Sequence, residues 1–328
     1  MNHTLLQRCE LFVSNRDIMK DRFKWDSGLY HPLVASLYTE KGRIVDPEKI
    51  KNCKTIMKNN TGLFSEFRAT AHLPLAALLS LESHPEGKFQ EILQAYEALK
   101  KEFRSSAYLP LSAFFMAVML QSPAYDGVVR KAKDIFQRMK KEHPFLTSGE
   151  DCGFAVMLAM SEMTPSAAIM EMEKCYAILK SRFSIGNALQ TLSHTLTLGG
   201  ESAQSKCDRI IRLFDLLKEN NCKYGTGAEL AVLGVLAIST PELSATIRDI
   251  VEANQFLLGQ KGFGRLGMGK AQRIMYAAIL VSQENKQASQ NALGMASINS
   301  VTSLLIAEQA AIAAVIAASA AAASTAGN

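Results

Sequence analysis

Apolar residues recur along this chain at three- and four-residue steps, the spacing that lines them up on one stripe of an α-helix. Val129, Ala132, Ile135, Phe136 and Met139 form such a stripe, while Lys131, Lys133, Asp134, Arg138 and Lys140 fall between them. That pattern predicts a surface helix with one side turned inward. A second kind of segment is apolar all round, as in Phe154 to Met160 and Leu230 to Ile238. A short helix without a polar face must be covered on every side. The two kinds alternate, so the pattern predicts hairpins in which an amphipathic first helix shields an apolar second one, with neighbouring hairpins covering the rest.

The hairpins repeat. Arg68-Ala69-Thr70-Ala71-His72-Leu73-Pro74-Leu75 matches Arg104-Ser105-Ser106-Ala107-Tyr108-Leu109-Pro110-Leu111 at a shift of 104 − 68 = 36 residues. Tyr96 and Leu99, Phe136 and Met139, Tyr176 and Leu179, and Phe214 and Leu217 hold equivalent places in successive first helices, and Leu257 continues the series. Its steps are 40, 40, 38 and 40 residues. A period of that size is the mark of stacked supersecondary units.

Start and stop signals refine the map. Asp46-Pro47 predicts a capped helix running through Met57, with Pro at the first helical position. Thr147-Ser148-Gly149-Glu150 and Thr226-Gly227-Ala228-Glu229 fit the capping-box pattern, each ahead of a second helix. Ser122-Pro123, Gly199-Gly200 and Asn220-Asn221 read as breaks. The fold expected is all-α: tandem helical hairpins of about 36–42 residues stacked as an α-solenoid-like array of about five or six units. Residues 1–62 are expected to be an N-terminal helical cap, 63–284 the hairpin array, and 285–328 a polar, then Ala-rich, low-complexity extension. Ala310 to Ala326 is made of Ala, Ile, Val, Ser and Thr without flanking Trp, Tyr, Lys or Arg, so a packed or fraying helix is expected there in preference to a membrane span.

Composition supports helix and narrows the chemistry. The chain is 48% hydrophobic with only 9 Pro and 20 Gly in 328 residues. Its 36 basic and 31 acidic residues leave a net charge of +5, which permits an anionic partner without requiring one. Six cysteines lie in no C-x-x-C pair and recur in no spacing with histidine, so reduced thiols are expected and neither a disulfide framework nor a metal site is. With no apolar leader at the N-terminus, the expected location is the cytoplasm.

Phe23-Lys24-Trp25-Asp26, Thr61-Gly62-Leu63-Phe64-Ser65-Glu66-Phe67-Arg68, the helical units and the alanine-rich end together resemble an uncharacterised bacterial helical family, domain of unknown function 4003. The resemblance covers nearly the whole chain. It implies a bacterial all-helical protein and carries no activity, cofactor or catalytic residue with it.

Candidate chemistry is sparse. Gly262-Phe263-Gly264-Arg265-Leu266-Gly267 spells a dinucleotide fingerprint, but a helix precedes it where phosphate loops need a strand, and the repeat makes it a turn between helices. No cofactor is expected. Arg68 and Arg104 recur at one turn position, His72 stands where the next unit has Tyr108, and Glu150-Asp151 opens a second helix. These five are the surface candidates. For each, capping or packing is the plainer explanation. The stretch Ala132 to Lys140 looks like the first helix of an RNA-reading pentatricopeptide repeat, yet its polar positions do not recur in register. No catalytic residue is assigned. The function expected is a non-catalytic helical-repeat protein that binds a protein partner or acts as a scaffold; neither nucleic acid nor a membrane is the expected partner. An enzyme with a site gathered from several hairpins, and a nucleic-acid-binding repeat, are the alternatives.

Overall fold

The computed structural model describes residues 1–282 except 70, 241, 265 and 266. The low-complexity segment 285–328 lies outside them. The described residues contain helices and turns in the following order: α1 (His3–Arg22) pairs with α2 (Tyr30–Glu40), α3 (Pro47–Asn59) with α4 (His72–Ser80), and α5 (Pro85–Lys100) with α6 (Leu109–Met119). Then α7 (Tyr125–Glu142) pairs with α8 (Cys152–Ala159), α9 (Pro165–Leu179) with α10 (Asn187–Thr197), α11 (Ala203–Glu219) with α12 (Glu229–Ser239), and α13 (Leu243–Leu258) with α14 (Lys270–Ser282). No strand occurs among the described residues. The fold is all-α, as the pattern predicts.

Odd-numbered helices form an outer layer and even-numbered ones an inner layer. The inner helices are buried almost end to end, Leu109 through Ala117 in α6 and Leu230 through Ser239 in α12, for example. Each outer helix packs on the next, α1 on α3 and so on to α11 on α13. Inner neighbours do the same, with α8 and α10 meeting through the Phe154 and His194 rings at 5.5 Å.

The chain also closes on itself. Helix α1 packs against α13 and α14, and α14 against α2, so the seventh hairpin meets the first and the two layers form a ring. An open array of five or six units capped by residues 1–62 leaves two terminal faces to be covered; here those faces cover each other. At the seam Phe12 is fully buried, 5.3 Å from the Tyr276 ring and 5.9 Å from Phe263. The Arg16 guanidinium lies 4.1 Å above Phe263 and donates to the Lys261 carbonyl at 2.7 Å. Gly262 has φ +86°, and a Cβ there would come within 2.6 Å of Arg16 Nη1. Gly262 therefore lets Arg16 and the seam approach closely, and the segment that contains it connects two helices, α13 and α14, as the repeat predicts.

The repeating positions have a physical role. In α5, α7, α9 and α11 the register aromatic stacks on a loop ring from the preceding hairpin: Tyr96 on Phe67 (4.9 Å), Phe136 on Phe103 (5.6 Å), Tyr176 on His143 (4.4 Å) and Phe214 on Phe183 (5.3 Å). Such pairs add about 0.5–1.5 kcal/mol each beyond area burial. In α13 the aromatic is replaced by Asn254, which donates to Cys222 at 3.6 Å and accepts from Arg273 at 2.9 Å. At the opposite end of the ring, outer-layer cations satisfy the last carbonyls of inner helices. Lys88 donates to Ala117, Lys131 to Ser161 and Arg209 to Ala237 within their own hairpins, and Arg8 makes the same contact to Leu280 across the seam. Positive charge at a helix C-terminus offsets its dipole.

Two caps differ from expectation. Ser148, not Thr147, caps the short 3-10 turn Gly149–Asp151, and the reciprocal carboxylate is Asp151, not Glu150. Thr147 is buried with its hydroxyl engaged, donating to Met139 and accepting from Gln190 at 2.9 Å, so the box moves one residue along. Helix α12 has no side-chain cap. Glu229 lies folded over the preceding loop, where a Cβ on Gly225 would come within 2.7 Å of its carboxylate.

Candidate functional site

The seven connections from outer to inner helix lie at one end of the ring, and contacts join the first five hairpins in succession there. Lys54 meets Asp26 at 3.0 Å, Ser105 donates to Glu66 at 3.3 Å, a Cβ on Gly149 would touch Ser106 at 3.4 Å, and Asn187 donates to Glu150 at 2.8 Å. The five sequence candidates fall at this end, but they do not converge.

Arg68 donates to the Lys58 and Thr61 carbonyls and to the Thr61 hydroxyl, closing the C-terminus of α3. Its role is capping. His72 opens α4 with its Nε2 buried and unbonded, and burial, then Lys54 and Lys58, hold its pKa down at about 4. Glu150 is the hydrogen-bond partner of Asn187, and burial raises its carboxyl above the usual range. Arg104 is exposed and lines a cleft of about 570 Å3 between the third and fourth hairpins, shared with Lys133, Lys140, Ser106 and Ser148. No carboxylate lines that cleft. Lys133 is engaged by the Glu102 carbonyl and lies 5.3 Å from the Phe103 ring.

Asp151 is buried behind the cleft wall. One carboxylate oxygen accepts from the Ser148 N–H at 2.8 Å, and the other lies 3.4 Å from His194 Nδ1, which makes no hydrogen bond. Burial pushes both groups toward their neutral forms, Asp151 up to about 7 and His194 down to about 3. Between about pH 3 and pH 7 the contact is thus between an uncharged carboxyl and an uncharged imidazole, not an ion pair. His194 was not separable in sequence from any other histidine on an apolar helix.

The Asp151 shift makes a stability prediction. A carboxyl whose pKa is raised on folding contributes stability below its unfolded value of 3.8, and this is lost as pH rises through about 7. Asn at 151 keeps an oxygen for Ser148 N–H and carries no charge. The Asp151→Asn protein is expected to gain on wild type by about 1.4 kcal/mol per pH unit between about pH 4 and pH 7, levelling off above, to roughly 4 kcal/mol. Urea unfolding of both across that range measures it; a difference that does not change with pH removes the assignment.

The other feature of this end is apolar. Trp25 is 91% exposed, Leu63 79%, Phe145 98% and Ile185 72%, and Phe64 is fully exposed. Each stands on a different outer-to-inner loop except Leu63 and Phe64, which share one. The signal for them was in the repeat. Trp25, Leu63, Phe145 and Ile185 each lie six residues past the buried register position, Met19, Met57, Met139 and Leu179. The same position is Ser105 in the third hairpin and the buried Phe263 at the seam. Isolated exposed apolar residues are ordinary; a recurring set on one end of a ring is not.

The architecture is that of a closed double-layered helical ring. Among the described residues no helix is long and apolar enough to cross a membrane, and no group of three or more His, Cys, Asp or Glu side chains is placed to hold a metal ion. A family described as a protein of unknown function (DUF4003) matches residues 15–311, and the chain belongs to that family. An uncharacterised protein, YeaA of Bacillus subtilis strain 168, is 26% identical over 213 residues, which is 61% of this chain. The match spans 63% of that relative's length. No solved structure matches.

Proposed function

We propose that this is a binding or scaffolding protein, not an enzyme, and that it works through the loop-bearing end of its ring. The observation that carries this reading is the set of exposed apolar side chains, Trp25, Leu63, Phe64, Phe145 and Ile185, borne by loops of a rigid frame. Nothing in the folding of the hairpins requires them, since their loops are fixed by Phe23, Phe67, Thr147 and Phe183, which are buried. Leaving large apolar groups in water is unfavourable by about 1.5–3 kcal/mol each relative to burial, and a partner recovers that. Against the enzyme reading, Arg68 is consumed by its cap, Asp151 is sealed behind the cleft wall, and only Arg104 of the five sequence candidates lines a cleft.

A photo-crosslinking amino acid placed at Phe145 in living cells is expected to give adducts, and the same group at Ile44, exposed at the opposite end, is expected to give none. Equal adducts from both ends, or none from Phe145, would sink this reading.

A further inference from the structure

We infer that the loop-bearing end docks on an anionic lipid surface. This rests on the reading of that end as the working face and names its partner. Apart from Leu63 and Phe64 the apolar side chains stand singly on separate hairpins, and none of them lines the clefts beside Arg104 or Lys24, so they are not the walls of a slot for a peptide or helix. Trp and Phe tips carried on loops suit the boundary between headgroups and acyl chains, where each can insert independently.

Charge selects the kind of lipid. Beside the tips stand Lys24, Lys58, Lys140, Lys141, Lys180 and Lys223, all exposed, and none makes an ion pair among the described residues. Of the acids that share those turns, Asp26 is held by Lys54, Glu66 by Ser105 and Glu150 by Asn187, and Asp151 is buried, which leaves Asp21, Glu102, Glu142, Glu219 and Glu229, five against the six lysines. Lys24 lies 5.4 Å from the Trp25 ring, pairing a cation with an apolar tip in one loop. Between Phe145 and the third hairpin, the Arg104–Lys140 cleft has no carboxylate in its wall and suits a headgroup phosphate. Juxtamembrane lysines and arginines attract acidic lipids, and the attraction falls off within a Debye length. A second copy of the chain meeting the same end would set cations against cations.

Trp25 is the chain's single tryptophan, so the docking surface carries its own reporter. With phosphatidylglycerol vesicles at low ionic strength, the full chain is expected to co-sediment, and Trp25 emission to shift to the blue and resist aqueous quenchers. Phosphatidylcholine vesicles are expected to do neither. Phe64→Ser, Phe145→Ser and Ile185→Ser keep the reporter and are each expected to weaken vesicle binding by about tenfold, without change in thermal midpoint. Arg104→Glu with Lys140→Glu is expected to remove the preference for acidic lipid. Absence of sedimentation and of any Trp25 shift with phosphatidylglycerol overturns the lipid assignment, as does binding that survives the tip substitutions. If adducts from Phe145 in cells are then to an acidic protein, the working face stands and the lipid partner does not.

Discussion

Replacing Glu171 with Ala is expected to destabilise the protein by about 3 kcal/mol, because it strands a buried ammonium. Lys206 on α11 is 1% exposed. Its Nζ donates to Glu171 Oε1 on α9 at 2.8 Å and to the Gly199 carbonyl, just past α10, at 3.0 Å. Removing one partner of a buried pair costs about 3–5 kcal/mol, and the partial exposure of Glu171 puts this case at the lower end. With Glu171 gone, one carbonyl is left to face the charge. Adding Lys206→Met removes the charge itself and is expected to restore most of the loss, since an apolar side chain fills a buried site about as well as an ion pair. Urea midpoints of the two single variants and the double variant measure this. A Glu171→Ala protein within 1 kcal/mol of wild type contradicts it. The contact joins the fifth and sixth hairpins, so it also reports how firmly neighbours are bound.

The second large effect concerns the seam. Phe12→Ala is expected to cost about 3–5 kcal/mol, the range for deleting a buried aromatic and leaving its cavity unfilled. Phe12 is fully buried, and its aromatic partners, Phe263 and Tyr276, belong to the last hairpin. In an open array, α1 would be a terminal helix with one face in water, and the same substitution would be mild. The size of the loss therefore separates a ring from a solenoid.

Much of this fold was legible because its determinants are local. The three- and four-residue steps of α7, the Asp46-Pro47 start of α3 and the apolar stretch of α12 each specify a helix within about four turns of chain. The period was legible because Leu99, Met139, Leu179, Leu217 and Leu257 are all buried in equivalent places. Closure was not, since it depends on Phe12 and Arg16 meeting residues some 250 positions away, and nothing near them in sequence differs from an ordinary outer helix. The Ser148 cap was missed by one residue because Thr147 has the right chemistry but is held by Gln190 from the next hairpin. Of the candidate site, Arg104 was legible from its recurrence with Arg68, although the two then part: one caps α3 and the other faces a cleft. The apolar tips were hidden because Trp25 or Phe145, taken alone in a loop, carries no sign of whether it faces core or solvent.

Hydrogen exchange in Phe12→Ala tests the closed ring most directly. If α1 and the last hairpin support each other, the substitution accelerates exchange in residues 243–282 as well as in α1 and α2, while α7 and α8, the fourth hairpin, change least. Unaltered exchange across 243–282, with loss of protection confined to the N-terminal helices, would show an open array and contradict the ring.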